Sequence, residues 1–229
     1  MGNGITEMVF ILDKSGSMAG FESDTIGGFN SMIEKQKAQD GQAFVTTVLF
    51  SYEPKILHDR VELKNVKPLT NVDYTVGGGT ALLDAIGSII NHIYDLHKQM
   101  PKDEVPERTI FVITTDGYEN ASNKYTKLHV KDLIKLHEDA FNCEFLFLGA
   151  NIDAVEVGAS FGIKKERSVN FDLSRPKVLN CMFDQLDSTI DFYRKGGKID
   201  ENWAEDLESK LSGKKPPKNC KNRWRAYEG

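Results

Sequence analysis

Met8-Val9-Phe10-Ile11-Leu12 runs straight into Asp13-Lys14-Ser15-Gly16-Ser17. Five apolar residues without alternation describe a strand buried on both faces, as in a parallel sheet. Its abrupt end in a carboxylate and two hydroxyls marks the carboxyl edge of such a sheet, where open α/β folds bind their ligands.

The same reading extends along the chain. Phe44–Phe50, Thr109–Thr114, Cys143–Gly149 and Ser168–Phe171 are further apolar strands, and the more polar Lys55–Leu63 suits an antiparallel edge. Helical spacing places helices at about Thr25–Gln39, weakened by Gly27-Gly28, and through Leu82, Leu83, Ile86, Ile89, Ile90 and Ile93. Others follow at about Thr126–Phe141 and Val155–Phe161, and a last one has Pro176 in its first turn and runs through Leu179, Phe183, Leu186 and Ile190. Strands alternating with helices predict an α/β, Rossmann-like doubly wound fold with right-handed crossovers. The core is expected to end near Tyr193, giving a domain over residues 1–195 and an extension over 196–229. The extension holds a short helix at about 201–211, carrying Trp203, Leu207 and Leu211 between Asp200 and Gly213, and then a basic tail. That helix is expected to pack back on the domain.

The chain has 229 residues, 40% hydrophobic and 28% charged, which excludes extended disorder, a disulfide miniprotein and a collagen-like fibre. No run approaches the roughly 18 apolar residues of a membrane span, and the N-terminus has no secretory pattern. Three cysteines, Cys143, Cys181 and Cys220, show no paired spacing and favour a reducing, cytoplasmic setting. Met1-Gly2 with Thr6 formally fits a myristoylation pattern, but the first strand begins too soon after it. The net charge of −5 is uneven. Seven basic and no acidic residues lie between Lys210 and Tyr227, leaving 22 basic and 33 acidic residues in 1–209, a charge of −11. Nucleic acid therefore has only the tail to bind, where Trp224 and Tyr227 interleave with cations, and a solvated tail is the plainer reading.

Three segments bring chemistry to the carboxyl edge. Asp13, Ser15 and Ser17 alternate around a turn, so that they can face inward together while Lys14 and Gly16 face out. Gly77-Gly78-Gly79-Thr80 opens a helix, and the strand at 109–114 ends in Thr115-Asp116-Gly117. Two carboxylates (Asp13, Asp116) and three hydroxyls (Ser15, Ser17, Thr80) form an all-oxygen set suited to Mg²⁺, or Mn²⁺ and Ca²⁺, rather than Zn²⁺ or copper. Taken singly, Asp13 and Ser15 read as helix caps. Asn120 and Asp84 are candidates for orienting the ligands, or for caps and turns. The five histidines show no metal or catalytic spacing. Asp13 as a phosphoryl-accepting nucleophile is the rival reading, but position 15 is serine where such phosphatases carry a second aspartate.

Asp13-Lys14-Ser15-Gly16-Ser17, Gly78-Gly79-Thr80-Ala81-Leu82 and Thr115-Asp116-Gly117 together resemble the von Willebrand factor A domain and its metal-ion-dependent adhesion site, over about residues 5–193. The resemblance implies a six-stranded, mostly parallel sheet flanked by helices. It also implies that Ser15, Ser17 and Thr80 contact the ion through hydroxyls, with Asp13 and Asp116 acting directly or through water. Leu82-Leu83-Asp84-Ala85-Ile86 and Asp116-Gly117-Tyr118-Glu119-Asn120 are similar to the intracellular bacterial and phage branch. The expected function is a divalent-cation-dependent interaction module that takes an Asp or Glu side chain of a protein partner. A Mg²⁺-dependent phosphohydrolase, or a nucleic-acid accessory protein acting through the tail, is the alternative. The glycine loop leaves Thr80 room to shift between contacting the ion and standing off, which would give two states.

Overall fold

The structure, a computed structural model, describes residues 4–213. Cys220 and the basic tail lie outside them, as do the residues that open the myristoylation pattern. Strands β1 (Thr6–Asp13), β2 (Ala43–Phe50), β3 (Pro54–Glu62), β4 (Arg108–Thr115), β5 (Cys143–Ala150) and β6 (Ser168–Phe171) form one sheet in the order β3-β2-β1-β4-β5-β6. Every neighbouring pair is parallel except β2 with β3. All eight residues of β1 are buried, whereas β3 at the edge is largely half-buried or exposed.

Helices α1 (Glu22–Lys37), α5 (Val178–Arg194) and α6 (Trp203–Leu211) cover one face, and α2 (Leu82–Gln99), α3 (Lys127–Phe141) and α4 (Ala154–Ser160) the other. The continuous apolar run of β1 serves both layers. Met8, Phe10 and Leu12 join the cluster of Phe29, Met32 and Phe183, while Val9 and Ile11 join that of Ile86, Ile90 and Ile134. Gly28 does more than weaken α1. A methyl group there would stand 2.3 Å from the Phe183 ring, so the glycine sets how closely α1 lies on α5.

Several expectations from sequence are corrected. Pro176 lies before α5 rather than in its first turn, since Lys177, at φ +60°, is the N-cap. The apolar core continues past Tyr193: Ile199, Trp203, Leu207 and Leu211 belong to the same cluster as Leu186 and Ile190. Asp200 accepts from the Asn202 amide, shaping the turn ahead of α6 instead of opening the helix. α6 itself packs back on the sheet layer, and Trp203 Nε1 donates to Thr189 Oγ1 at 3.0 Å.

Parallel neighbours lie on both sides of β1, and the chain order reverses between β1 and β4. That switch point opens a crevice at the carboxyl ends of the two strands, where the chain leaves each in opposite directions. Asp13 ends β1, and Asp116 follows the last residue of β4.

Candidate metal centre

The crevice is built from three loops stitched together by backbone hydrogen bonds. After β1 the chain enters a short 3-10 turn, Gly16–Met18. Gly16 N donates to Gly78 O at 3.0 Å and Gly77 N to Lys14 O at 2.9 Å, tying this turn to the glycine loop. The third loop, after β4, is fastened by Asn120, whose Oδ1 accepts from Thr80 N (2.8 Å) and whose own N donates to Thr80 O (3.1 Å).

These bonds bring the five predicted side chains to one place. Ser15 Oγ lies 3.0 Å from Ser17 Oγ, and Ser17 Oγ donates to Asp116 Oδ1 at 2.5 Å. Asp13 Oδ1 accepts from Ser15 N at 2.6 Å. A methyl group built on Gly117 would meet Thr80 Oγ1 at 3.2 Å and Ser17 Oγ at 3.4 Å, so both hydroxyls converge over that glycine. Asp13, Ser15, Thr80 and Asp116 are buried, Ser17 is exposed, and the cluster therefore meets solvent on the Ser17 side. Lys14 turns its ammonium away to the carbonyl of Thr75.

Two carboxylates are thus nearly sealed from water, with Asp13 1% and Asp116 7% exposed. Burial raises the pKa of Asp13 above its ordinary value, against hydrogen bonds from Thr115 and Ser15 that lower it. Burial raises that of Asp116 too, and the neighbouring charge of Asp13 adds to the rise. Among the described residues no ion pair reaches either group. Nor do those residues contain a cluster of three or more His, Cys, Asp or Glu able to hold a metal. Two carboxylates and three hydroxyls match a hard, oxygen-seeking divalent cation, whose charge would offset the cost of burying both anions. The residues present therefore fit such an ion.

Sequence reasoning missed two supports. Thr115 Oγ1 donates to Asp13 Oδ2 at 2.5 Å, and the Tyr74 hydroxyl donates to the Asp13 carbonyl. Their partners lie 102 and 61 residues away, and the available signal was only a polar residue ending β4 and an aromatic inside a glycine-rich loop. Of the two suspected orienters, Asn120 holds the backbone of Thr80. Asp84 works as a loop clamp, accepting from the amides of Asn123, Lys124 and Tyr125 at 2.8–3.0 Å. Glu119, not singled out from sequence, accepts from Leu83 N, Ala121 N, Ser122 N and Ser122 Oγ, which fixes the same loop to the start of α2.

The sequence matches no protein-family model and no curated protein. Solved structures do resemble it. The vWF domain of the type V pili tip protein Mfa5 from Porphyromonas gingivalis superposes with a TM-score of 0.59 at 10% identity, over 86% of this chain and 98% of that one. The PilB minor pilin of Streptococcus sanguinis, as its D319A mutant, gives 0.56 at 13% identity, over 84% of this chain and 63% of that one. Proximal thread matrix protein 1 from the mussel byssus, in a form with a zinc-occupied MIDAS motif, gives 0.52 at 14% identity, over 82% of this chain. This chain spans 46% of the mussel protein's length. By these superpositions the chain, with its six-stranded, mostly parallel sheet and helices on both faces, has the von Willebrand factor A fold.

Proposed function

We propose that the protein is a divalent-cation-dependent interaction module that binds an Asp or Glu side chain of a protein partner through a resident Mg²⁺. The observation that carries this reading is the convergence of Asp13, Ser15, Ser17, Thr80 and Asp116 in a crevice that buries two carboxylates without a cationic side chain. In that reading the hydroxyls of Ser15, Ser17 and Thr80 and the carboxylates of Asp13 and Asp116 hold the ion. Where the two carboxylates act through water, the three neutral hydroxyls in direct contact leave the cation's charge incompletely screened, and a partner's carboxylate at the open position completes the shell. Exposed Ser17 marks the open side from which that carboxylate approaches. Two neighbouring structures whose names place them in pili, and one in byssal thread, support an interaction role over a catalytic one.

The arrangement also weighs against the phosphohydrolase reading. Position 15, two residues after Asp13, offers a hydroxyl instead of the second acid that reaction needs. Among the described residues no helix is long and apolar enough to cross a membrane, and Cys143 and Cys181 are free thiols. These thiols support a cytoplasmic setting, and the loop sequences at 82–86 and 116–120 support the bacterial or phage branch of the fold. The test is partner capture by the full chain in Mg²⁺ and in EDTA, alongside Asp116→Ala. Capture that needs the metal and Asp116 is expected; equal capture in all three overturns the proposal.

A further inference from the structure

α5 and α6 pack side by side and leave between them a groove of about 930 Å³ on the face of the domain covered by α1, α5 and α6. Its apolar wall includes Phe192, Trp203 and Leu207, and its rim carries Asp187 and Asp191 of α5 and Asp206 of α6. Asp187 and Asp191 are one helical turn apart and so share a face of α5. The ammonium of Lys195 meets only one oxygen of Asp191, Oδ2 at 2.8 Å, while Oδ1 is buried and has no hydrogen-bond partner among the described residues. Lys210, the other cation of the rim, donates to Gln185 Oε1 at 2.5 Å. Asp187 accepts from Gln36 Nε2 at 2.8 Å, and the groove lining carries three carboxylates against two lysines.

The chain itself holds a cationic segment that continues in sequence from α6, one wall of this groove. Residues 214–229 contain Lys214, Lys215, Lys218, Lys221, Arg223 and Arg225 against one acid, Glu228, together with Trp224 and Tyr227. They follow directly on α6, whose last turns form the groove's wall through Leu207 and Lys210. The end of that helix is anchored, because Arg175 Nη1 donates to the carbonyl of Ser212, and Gly213 at φ +65° breaks the helix there. Sixteen residues can reach about 50 Å when extended, whereas the nine residues of α6 measure about 14 Å. A tethered segment also meets its site at an effective concentration of about millimolar, so weak ionic contacts suffice to hold it.

We propose that the groove between α5 and α6 is the docking site of the protein's own basic C-terminal segment, with Asp187, Asp191 and Asp206 receiving its lysines and arginines. The tail's charge is then answered within the molecule, by an acidic body, instead of by nucleic acid.

Cys220 lies in the segment and provides the probe. In the full chain carrying Cys181→Ser, with Cys143 left buried in β5, a nitroxide on Cys220 is read through the paramagnetic broadening of backbone amides. The expected result in low salt is signal loss concentrated on residues 187–197 and 203–210. That pattern is relieved in 1 M NaCl, where the screening length falls to about 3 Å, and in Asp187→Asn/Asp191→Asn. The salt arm needs no groove substitution and stands even if the double variant unfolds. Broadening spread evenly over the surface, or centred on another face, overturns the proposal. So does broadening seen only between isotope-labelled and nitroxide-labelled molecules in a mixture, which would mean that a second copy supplies the tail.

Discussion

Replacing Asp116 by asparagine separates the cost of burying two carboxylates from their use as ion ligands. The substitution keeps volume and leaves an amide oxygen to accept the Ser17 hydroxyl, now 2.5 Å from Asp116 Oδ1. In EDTA it removes one of two like charges held almost without water or a cationic partner, so stability should be unchanged or raised. With Mg²⁺ the order should invert. At about 100 times Kd an ion adds about 2.7 kcal/mol to the wild type, which for a domain of this size raises Tm by roughly 5–11 °C. Loss of a ligand that weakens the ion about 100-fold leaves about 0.4 kcal/mol at the same concentration, a rise of roughly 1–2 °C.

The pH dependence carries its own sign. Burial raises both acids in the folded protein above the 3.8 they have when unfolded, so without metal the folded state binds protons more tightly there. The wild type in EDTA should therefore gain stability from these groups as pH falls from their raised values toward 3.8, and Asp116→Asn should lose its share of that gain. In Mg²⁺ the trend reverses, because the ion requires ionised carboxylates. Differential scanning fluorimetry of the two proteins across pH, in EDTA and in Mg²⁺, reads all of this. An equal Mg²⁺-induced rise in both proteins, or an Asp116→Asn protein markedly less stable than wild type in EDTA, would refute the reasoning.

Adjacent glycines in α1 should respond in opposite directions to alanine. Gly27→Ala meets nothing within 4 Å on an exposed helix surface and should gain about 1 kcal/mol, whereas Gly28→Ala drives a methyl to 2.3 Å from Phe183 and should lose about 1–3 kcal/mol, both read by urea denaturation. Asp84→Ala strands the amides of residues 123–125 and should lower the urea midpoint by an amount worth about 2–4 kcal/mol. Glu7, fully buried at the opposite edge of the sheet, accepts from Arg60 Nε at 3.2 Å; Glu7→Gln leaves that half-buried guanidinium without its counter-charge and should cost about 3 kcal/mol by the same assay.

What could be read from sequence follows the range of the interactions involved. β1 announced itself because a strand packed on both faces must be apolar at every position, and all eight of its residues are buried. The convergence of Asp13, Ser15, Ser17, Thr80 and Asp116 was legible for a related reason: each lies in a short motif whose local geometry determines where it points. Thr115 and Tyr74 were not legible, since both act on Asp13 across more than 60 residues and neither has a local reason to be polar or aromatic. The core was expected to end near Tyr193, just ahead of Gly196-Gly197, but these glycines do not close it. In the structure they turn the chain tightly: Gly196 sits at φ +92°, and a methyl on Gly197 would overlap the Phe192 ring at 2.3 Å. Chain reversal there brings Ile199 and α6 back onto the layer that α5 already covers. The four-residue spacing of Trp203, Leu207 and Leu211 was the better guide, because only a helix with something to pack against keeps such a stripe.

The same clamps bear on how the metal centre would work. A glycine loop carrying Thr80 suggests from sequence a hydroxyl that moves on and off an ion. Yet Thr80 is held at both its amide and its carbonyl by Asn120, and the loop bearing Asn120 is braced internally by three bonds to Glu119, tied to α2 by a fourth from Leu83 N, and clamped by three to Asp84. Moving Thr80 away would break the Asn120 pair first, and the carboxylates of Glu119 and Asp84 resist any compensating shift of its loop. Gly77 and Gly78, both at positive φ, serve to bend the chain back toward Lys14 and Gly16, where it is again hydrogen-bonded. Glycine here provides a tight path for a fixed loop. On the proposed reading these bonds would hold the ligand side chains in place, so that little of the binding free energy would be lost to arranging them. Such a centre would answer to the concentration of its ion and its partner, and a regulated version would require weakening the Asn120–Thr80 pair.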